Sequence, residues 1–256
     1  MQEAIDRRLC SAHRDHLPEG QCKCSQLGGA KLTLPGLDVR LFANRDPTNP
    51  LVIYCHGNKR NICSCHRVIE FLKPHFNLVI FDYMGFGMSK DTLDGYPTLY
   101  SPEALANDVG LVIRHLQTAL PTTKLYVYAH SLGTGIALRS LSKLNVPISG
   151  LILEGAFASL SSCLTGSWLG WVASWPVWWL VDHKYPNAEL ITRVRVPTML
   201  VHSSDDHVVP FSESEKLLAL LPSAQDRLRG IYRLTGPHNG PTYDKAYARA
   251  LELFVK

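Results

Sequence analysis

Residues 125–138 read LYVYAHSLGTGIAL, and the character of the chain changes in the middle of this stretch. Up to Ala129 the residues are β-branched, aromatic or otherwise apolar, which is typical of a buried strand. After His130 and Ser131, small residues at helical spacing begin at once. The stretch therefore predicts a tight strand-to-helix turn with Ser131 at its corner. Either the serine stands there because it is small, or the turn exists to present its hydroxyl.

Apolar runs of strand length recur on both sides of this turn. KLTLP and DVRLFAN predict a hairpin across Pro35-Gly36, and six further runs follow: LVIYC (51–55), NLVIF (77–81), KLYVYA (124–129), GLILE (150–154), VPTMLVH (196–202) and RGIYRL (229–234). Amphipathic stretches of helical length lie between them, at 63–72, 102–120, 132–144, 212–221 and 241–255. This alternation predicts an α/β fold, in which helices flank a mostly parallel central sheet of about eight strands.

The composition of the 256 residues is that of an ordinary globular protein. We predict a polar, flexible leader over residues 1–30 and a single domain over 31–256, with an insertion at about 156–190. The 26 Lys and Arg residues are scattered, which argues against a nucleic-acid partner. Because the N-terminus has neither the apolar core of a signal peptide nor a membrane anchor, we expect a cytoplasmic protein that is at most peripheral to membranes.

The seven cysteines are expected to be mostly reduced in that compartment. Cys22 and Cys24, like Cys63 and Cys65, are separated by one residue, whereas zinc ligands are usually two to four residues apart. Free thiols are therefore the favoured interpretation, and no metal or organic cofactor is implied. Cys10, with Cys22 and Cys24, forms a weak signal for palmitoylation.

Chemically active side chains follow several predicted strands at the point where each strand ends. Ser131 follows the fifth strand, Asp205 and Asp206 follow the seventh, and His238 lies in a glycine-rich loop after the eighth. In such sheets the ligand site lies at the carboxyl ends of the strands. A serine hydroxyl becomes a nucleophile when a base accepts its proton and a third group orients that base. We predict Ser131, His238 and Asp206 in these roles, with Asp205 as the alternative acid.

Five motifs resemble the landmarks of the α/β-hydrolase superfamily, and they occur in the family's order from about Lys31 to the end. They are CHGN (55–58), FDYMGFGMS (81–89), AHSLGTG (129–135), HSSDDHVVP (202–210) and GPHNG (236–240). The particular residues in these motifs are most similar to those of the α/β-hydrolase-domain-containing proteins. Their members hydrolyse lysophospholipids, monoacylglycerols or palmitoyl thioesters on proteins. The chain departs from the commoner pattern at Ala129, where glycine is usual.

The resemblance also implies how the oxyanion is held. By position, the backbone N–H groups of Asn58 and Leu132 form the oxyanion hole, which agrees with a glycine-containing turn aiming amides at the end of a neighbouring strand. His56, Gly57 and Asp82 are expected to support this turn and the loop beside it, in structural rather than chemical roles.

All five tryptophans lie within WLGWVASWPVWW, residues 168–179. Residues 164–181 have the length of a membrane span, but one crossing there would separate Ser131 from Asp206 and His238. One interpretation is a helix with its aromatic side chains packed inward. The other is a lid between the sixth and seventh strands that lines an acyl-chain pocket and rests on lipid. The residues at helical spacing are Trp168, Trp171, Trp175 and Trp179.

Taken together, the sequence predicts a lipase-like serine hydrolase that cleaves acyl esters or thioesters through an acyl-enzyme intermediate. Its expected partner is a lipid or an acylated protein, with peripheral membrane contact. A serine peptidase of the same fold is the main alternative, since one fold hosts both chemistries. A binding or scaffold protein of this fold without catalytic activity is the third interpretation. The oligomeric state does not follow from the sequence.

Overall fold

A single eight-stranded sheet forms the centre of the computed structural model, which describes residues 26–46, 48–89, 92–93, 96–97, 101–120, 124–143, 147–163, 184–224 and 226–255. The strands are β1 (Ala30–Leu34), β2 (Leu37–Phe42), β3 (Leu51–Cys55), β4 (Asn77–Phe81), β5 (Leu125–His130), β6 (Gly150–Glu154), β7 (Thr198–Ser203) and β8 (Asp226–Leu234). Their order in the sheet is β1-β2-β4-β3-β5-β6-β7-β8. The six strands β3 to β8 run parallel to one another, while β1 and β2 are antiparallel to their neighbours. The predicted α/β fold is confirmed. Thr92–Leu93 and Tyr96–Pro97 pair in a separate short ribbon.

Five of the six helices in the described ranges follow the predicted positions, with small changes at their ends, whereas the short helix at Asn187–Leu190 was not predicted. They are α1 (His66–Leu72), α2 (Pro102–Ala119), α3 (Leu132–Lys143), α4 (Asn187–Leu190), α5 (Phe211–Leu220) and α6 (Lys245–Val255), with 3-10 turns at Ile62–Cys65, Ser161–Cys163 and Ile191–Arg193. Helix α6 begins four residues later than the sequence pattern predicts. The reason is that Asp244 Oδ1 accepts a hydrogen bond from the Tyr247 backbone N–H at 2.7 Å, which is how a side chain caps a helix N-terminus.

The sheet is covered on both faces, which explains why its central strands are continuously apolar. Along β5, Val127 and Ala129 pack into one core with helices α2 and α3, while Tyr126 and Tyr128 pack into the other with α1 and α6. Strand β3 lies between β4 and β5, so the chain changes direction across the sheet after β4. The switch point, at which ligands bind in open α/β sheets, therefore lies between the carboxyl ends of β3 and β5.

Three further expectations from the sequence concern membrane-spanning helices, the state of the cysteines, and the leader and lid. No helix in the described ranges combines the length and the apolar character that a membrane crossing requires. Cys55, Cys65 and Cys163 are free, but Cys63 is disulfide-bonded, so the prediction of a free thiol is wrong at that position. The Cys63 side chain is half-buried and therefore accessible to a partner, whereas Cys55 and Cys65 are buried. The leader up to residue 25 and the four lid tryptophans lie outside the described residues, so both interpretations of the lid stay predictions.

Candidate active site

Ser131 stands at the turn between β5 and α3 in a backbone conformation that serine rarely adopts. Its φ is 54°, in the left-handed region that costs an L-residue about 1–2 kcal/mol. Hydrogen bonds hold the turn in place: the Ser131 N–H donates to the Glu154 carbonyl at 2.9 Å, and Thr134 Oγ1 donates to the Ser131 carbonyl at 2.6 Å. Backbone strain that the surroundings maintain in this way is a feature of functional sites.

Two glycines allow the helix and the neighbouring strand to approach this turn closely. A Cβ atom on Gly133 would lie 2.3 Å from the Cys55 carbonyl oxygen, a distance that backbone atoms could not accommodate. A Cβ atom on Gly57 would lie 3.1 Å from the Ser131 Cβ. The first turn of α3 therefore rests against the end of β3, and the His56-Gly57 turn lies beside the serine.

The structure brings together the three side chains that the sequence predicts as a triad. His238 Nε2 lies 2.8 Å from Ser131 Oγ, although the two residues are 107 positions apart. His238 Nδ1 lies 2.6 Å from Asp206 Oδ2. Gly155, with a φ of +58°, leaves room for the ring, because a Cβ there would lie 3.3 Å from His238 Cε1. Acid, imidazole and hydroxyl thus form one continuous chain of contacts.

Asp206, and not Asp205, contacts the imidazole. Asp206 Oδ1 accepts hydrogen bonds from the backbone N–H groups of Val208 and Val209, both at 2.8 Å. Burial opposes ionisation of this carboxyl, but hydrogen bonds from His202 and His238, together with the Val209 N–H, hold its pKa well below the usual range. Asp205 Oδ2 instead accepts from the Gly236 N–H at 2.8 Å and so supports the neighbouring loop.

The two residues whose backbone N–H groups are expected in the oxyanion hole both lie close to the serine. Asn58 follows the end of β3, and Leu132 is the first residue of α3, whose N-terminus carries partial positive charge. Within the part of the chain that the structure describes, neither N–H has a hydrogen-bond acceptor. Asn58 lines a cavity of about 480 Å³ together with Ser131 and His238. The Leu132 side chain points away into the core.

His56 and Asp82 lie buried behind the oxyanion turn. The His56 ring packs against Tyr83, with 4.5 Å between ring centroids, and its Nδ1 lies 2.9 Å from the Gly57 carbonyl. Burial lowers the pKa of His56 to about 4 and raises that of Asp82 to about 7. Asp82 accepts the backbone N–H groups of Ile62 at 2.7 Å and Met88 at 3.0 Å. Both side chains hold loops beside the site and do not contact the serine.

Replacing Asp82 by alanine is expected to lower the free energy of unfolding by about 3 kcal/mol, because the buried Ile62 N–H and the part-buried Met88 N–H both lose their acceptor. Urea unfolding followed by circular dichroism measures this change. Asp46 is a matched control, since it also accepts a backbone N–H, from Thr48 at 2.9 Å, but in an exposed turn. If Asp82→Ala destabilised the protein no more than Asp46→Ala, the loops would not depend on this carboxylate.

Sequence reasoning missed several groups around the triad. Glu154 is buried behind the serine turn, where it accepts hydrogen bonds from the Tyr128 and Tyr243 hydroxyls, and burial raises its pKa. His130 and Arg60 contact the backbone beside His238. The sequence could have pointed to both residues by position, because His130 directly precedes Ser131 and Arg60 follows shortly after Asn58. Within the described ranges, no three His, Cys, Asp or Glu residues converge as metal ligands.

Comparison with known proteins gives the same fold. A family model described as "alpha/beta hydrolase fold" matches residues 50–184. The chain is 27% identical over 188 residues to the lysophosphatidylserine lipase ABHD12 of Danio rerio, covering 68% of this chain and 47% of the relative. It is 30% identical over 172 residues to the uncharacterized protein YfhR of Escherichia coli strain K12, covering 66% of this chain and 57% of that protein. The chain thus matches about half the length of these relatives.

Among solved structures, the esterase Pf2001 of Pyrococcus furiosus superimposes with a TM-score of 0.66. The alignment covers 95% of this chain and 96% of the esterase at 16% sequence identity. At that identity the likeness concerns the fold alone.

Proposed function

Because this chain belongs to the α/β-hydrolase family, we propose that it is a serine hydrolase that cleaves acyl esters or thioesters. One observation carries the proposal: Asp206, His238 and Ser131 are linked by contacts of 2.6 and 2.8 Å at the carboxyl ends of the parallel strands. A hydroxyl alone is a poor nucleophile at neutral pH, and this arrangement supplies the base and the group that orients it.

In the proposed reaction, Ser131 Oγ attacks the substrate carbonyl carbon while His238 Nε2 takes the hydroxyl proton. Asp206 keeps Nδ1 protonated and stabilises the positive charge that develops on the imidazole. The N–H groups of Asn58 and Leu132 donate to the carbonyl oxygen as it becomes negative. His238 then gives its proton to the leaving alcohol or thiol. A water molecule, activated by the same base, releases the acid from the acyl-enzyme, and no metal or organic cofactor takes part.

The proposed substrates are lysophospholipids, monoacylglycerols or palmitoylated proteins. The printed activity of the ABHD12 relative, a lysophosphatidylserine lipase, supports a lipid ester. The charge-free stretch between Glu154 and Asp182 supports an apolar acyl chain, because it contains every tryptophan of the protein. Such a segment also favours contact with a membrane surface, where these substrates reside.

A substrate panel tests the proposal. Purified protein is assayed against a short-chain ester, a long-chain ester, a lysophospholipid, a palmitoyl thioester and an aminopeptidase substrate. We expect turnover of the ester and thioester substrates, with long acyl chains preferred over short ones. A clear preference for the aminopeptidase substrate would instead assign the same triad to peptide hydrolysis.

A fluorophosphonate probe separates the enzyme from a scaffold protein, because it reacts only with an activated serine. We expect wild-type protein to be labelled within minutes. Absence of labelling, together with no turnover across the panel, would favour a binding role for this fold.

A further inference from the structure

Two side chains from different parts of the fold hold successive carbonyl groups beside His238. His130 Nε2, at the end of β5, lies 3.0 Å from the His238 carbonyl oxygen. Arg60 Nη2, which follows Asn58 and Lys59, lies 2.9 Å from the Asn239 carbonyl oxygen. Arg60 Nη1 also donates to the Ser64 carbonyl at 3.0 Å. The loop of residues 235–240, called here the histidine loop, is therefore held both by the residue before Ser131 and by a residue close to Asn58.

The histidine loop closes on itself through a hydrogen bond from the Gly240 N–H to the Pro237 carbonyl at 3.1 Å, and contacts with other segments fix where it lies. Gly236, with a φ of +92°, is its second residue, and Gly240 is its last. The Asp205 carboxylate holds the loop at the Gly236 N–H, before the histidine. His130 and Arg60 hold it at His238 itself and at the next residue. The direction of the imidazole depends on this backbone, since the side chain has only two rotatable bonds.

Both groups are chemically suited to hold backbone carbonyl groups, and the pair His130 and Arg60 is called here the clamp. Burial lowers the pKa of His130 well below its usual value, so the ring is neutral and carries one proton. A carbonyl only accepts, so that proton lies on Nε2. His130 Nδ1 is then an unprotonated nitrogen, and it has no hydrogen-bond partner in the described structure. Within the described ranges, the guanidinium of Arg60 donates to neutral oxygens and pairs with no carboxylate.

We propose that His130 and Arg60 are positioning residues that fix the imidazole of His238 between the serine turn and the oxyanion turn. The proposal rests on the function proposed above. His130 acts through the histidine loop and through its ring, which packs against the His238 ring with 4.9 Å between centroids. Arg60 acts through the loop. Neither side chain is given a proton-transfer role. Arg60 also lines the cavity at Ser131, but its guanidinium donates to backbone carbonyl oxygens of the protein. Removal of either side chain is therefore expected to affect the geometry of proton transfer more than the binding of substrate.

The expected result is a loss in kcat with little change in KM. His130→Ala and Arg60→Ala are each expected to lower kcat for p-nitrophenyl butyrate by about 10- to 100-fold, because small misplacements of catalytic groups have effects of this size. The second-order rate of fluorophosphonate labelling is expected to fall in parallel. Both rates are measured on full-length protein, and thermal unfolding is recorded for each variant.

Conservative variants separate positioning from a merely structural role. His130→Gln retains an N–H donor at about the reach of Nε2 and is expected to recover most of the activity, whereas His130→Asn is not. Arg60→Lys can reach the Asn239 carbonyl but cannot also hold Ser64, so partial recovery is expected. Arg249→Ala removes the same charge from α6, where Arg249 pairs with Glu252 at 3.3 Å, and is expected to behave as wild type.

The double variant completes the test. Because both side chains hold one loop, His130→Ala combined with Arg60→Ala is expected to lose less than the product of the two single losses. If wild-type protein is labelled and both alanine variants react at the wild-type rate, the clamp is excluded while the hydrolase proposal stands. The clamp is also excluded if His130→Gln, folded as stably as wild type, is as slow as His130→Ala. If wild-type protein is itself unreactive, the proposed function fails, and the clamp fails with it.

Discussion

Replacing Ser131 by alanine is expected to lower kcat/KM for acyl esters by about 10⁴- to 10⁶-fold, because the variant has no nucleophile and cannot form an acyl-enzyme. Labelling by a fluorophosphonate is expected to disappear entirely. The variant is expected to fold, since the hydrogen bonds that hold this turn come from backbone groups and from the Thr134 side chain. Steady-state kinetics, probe labelling and thermal unfolding measure these three outcomes.

Ser140→Ala provides the matched control. Ser140 lies in the same helix that begins after Ser131, it is buried, and its hydroxyl has no hydrogen-bond partner in the described structure. We expect this variant to retain wild-type activity and labelling. Should Ser131→Ala keep more than about a hundredth of the wild-type rate, another group would be the nucleophile and the mechanism would be wrong.

Asp206→Asn is expected to lower kcat by about 10³- to 10⁴-fold, although it changes hardly any volume. The backbone N–H groups of Val208 and Val209 bind one carboxylate oxygen, so the amide oxygen of an asparagine would occupy that position. Its NH₂ group would then face His238 Nδ1. The imidazole would accept there and carry its proton on Nε2, where it could not take a proton from Ser131.

Asp205→Asn is the matched comparison, because it makes the same change one residue earlier. Its side chain contacts the Gly236 N–H rather than the imidazole, so a loss of at most about tenfold is expected. Single-turnover measurements of acylation, made on both variants, compare the two carboxylates directly. A larger loss at Asp205 than at Asp206 would reverse the assignment of the acid.

Much of the fold could be predicted from local patterns. Strands covered on both faces must be continuously apolar, and the runs at 51–55, 77–81 and 150–154 coincide with β3, β4 and β6. The change of period at residue 131 marks the junction of β5 and α3. Helix ends were less well predicted. The periodicity of α6 extends back over residues 241–244, but the Asp244 side chain caps the helix after them.

The sequence by itself determined which strand ends carry the serine, the acid and the histidine, because parallel strands bring their carboxyl ends to one edge of the sheet. The sequence favoured Asp206 but left Asp205 open, and only the tertiary structure shows which carboxylate contacts His238, since the two are chemically identical and the path of one turn decides which faces the imidazole. The contacts of His130 and Arg60 with the histidine loop are also features that only the tertiary structure decides. They join segments 108 and 179 residues apart, and local periodicity does not determine distances between loops that only the packing of the whole sheet brings together.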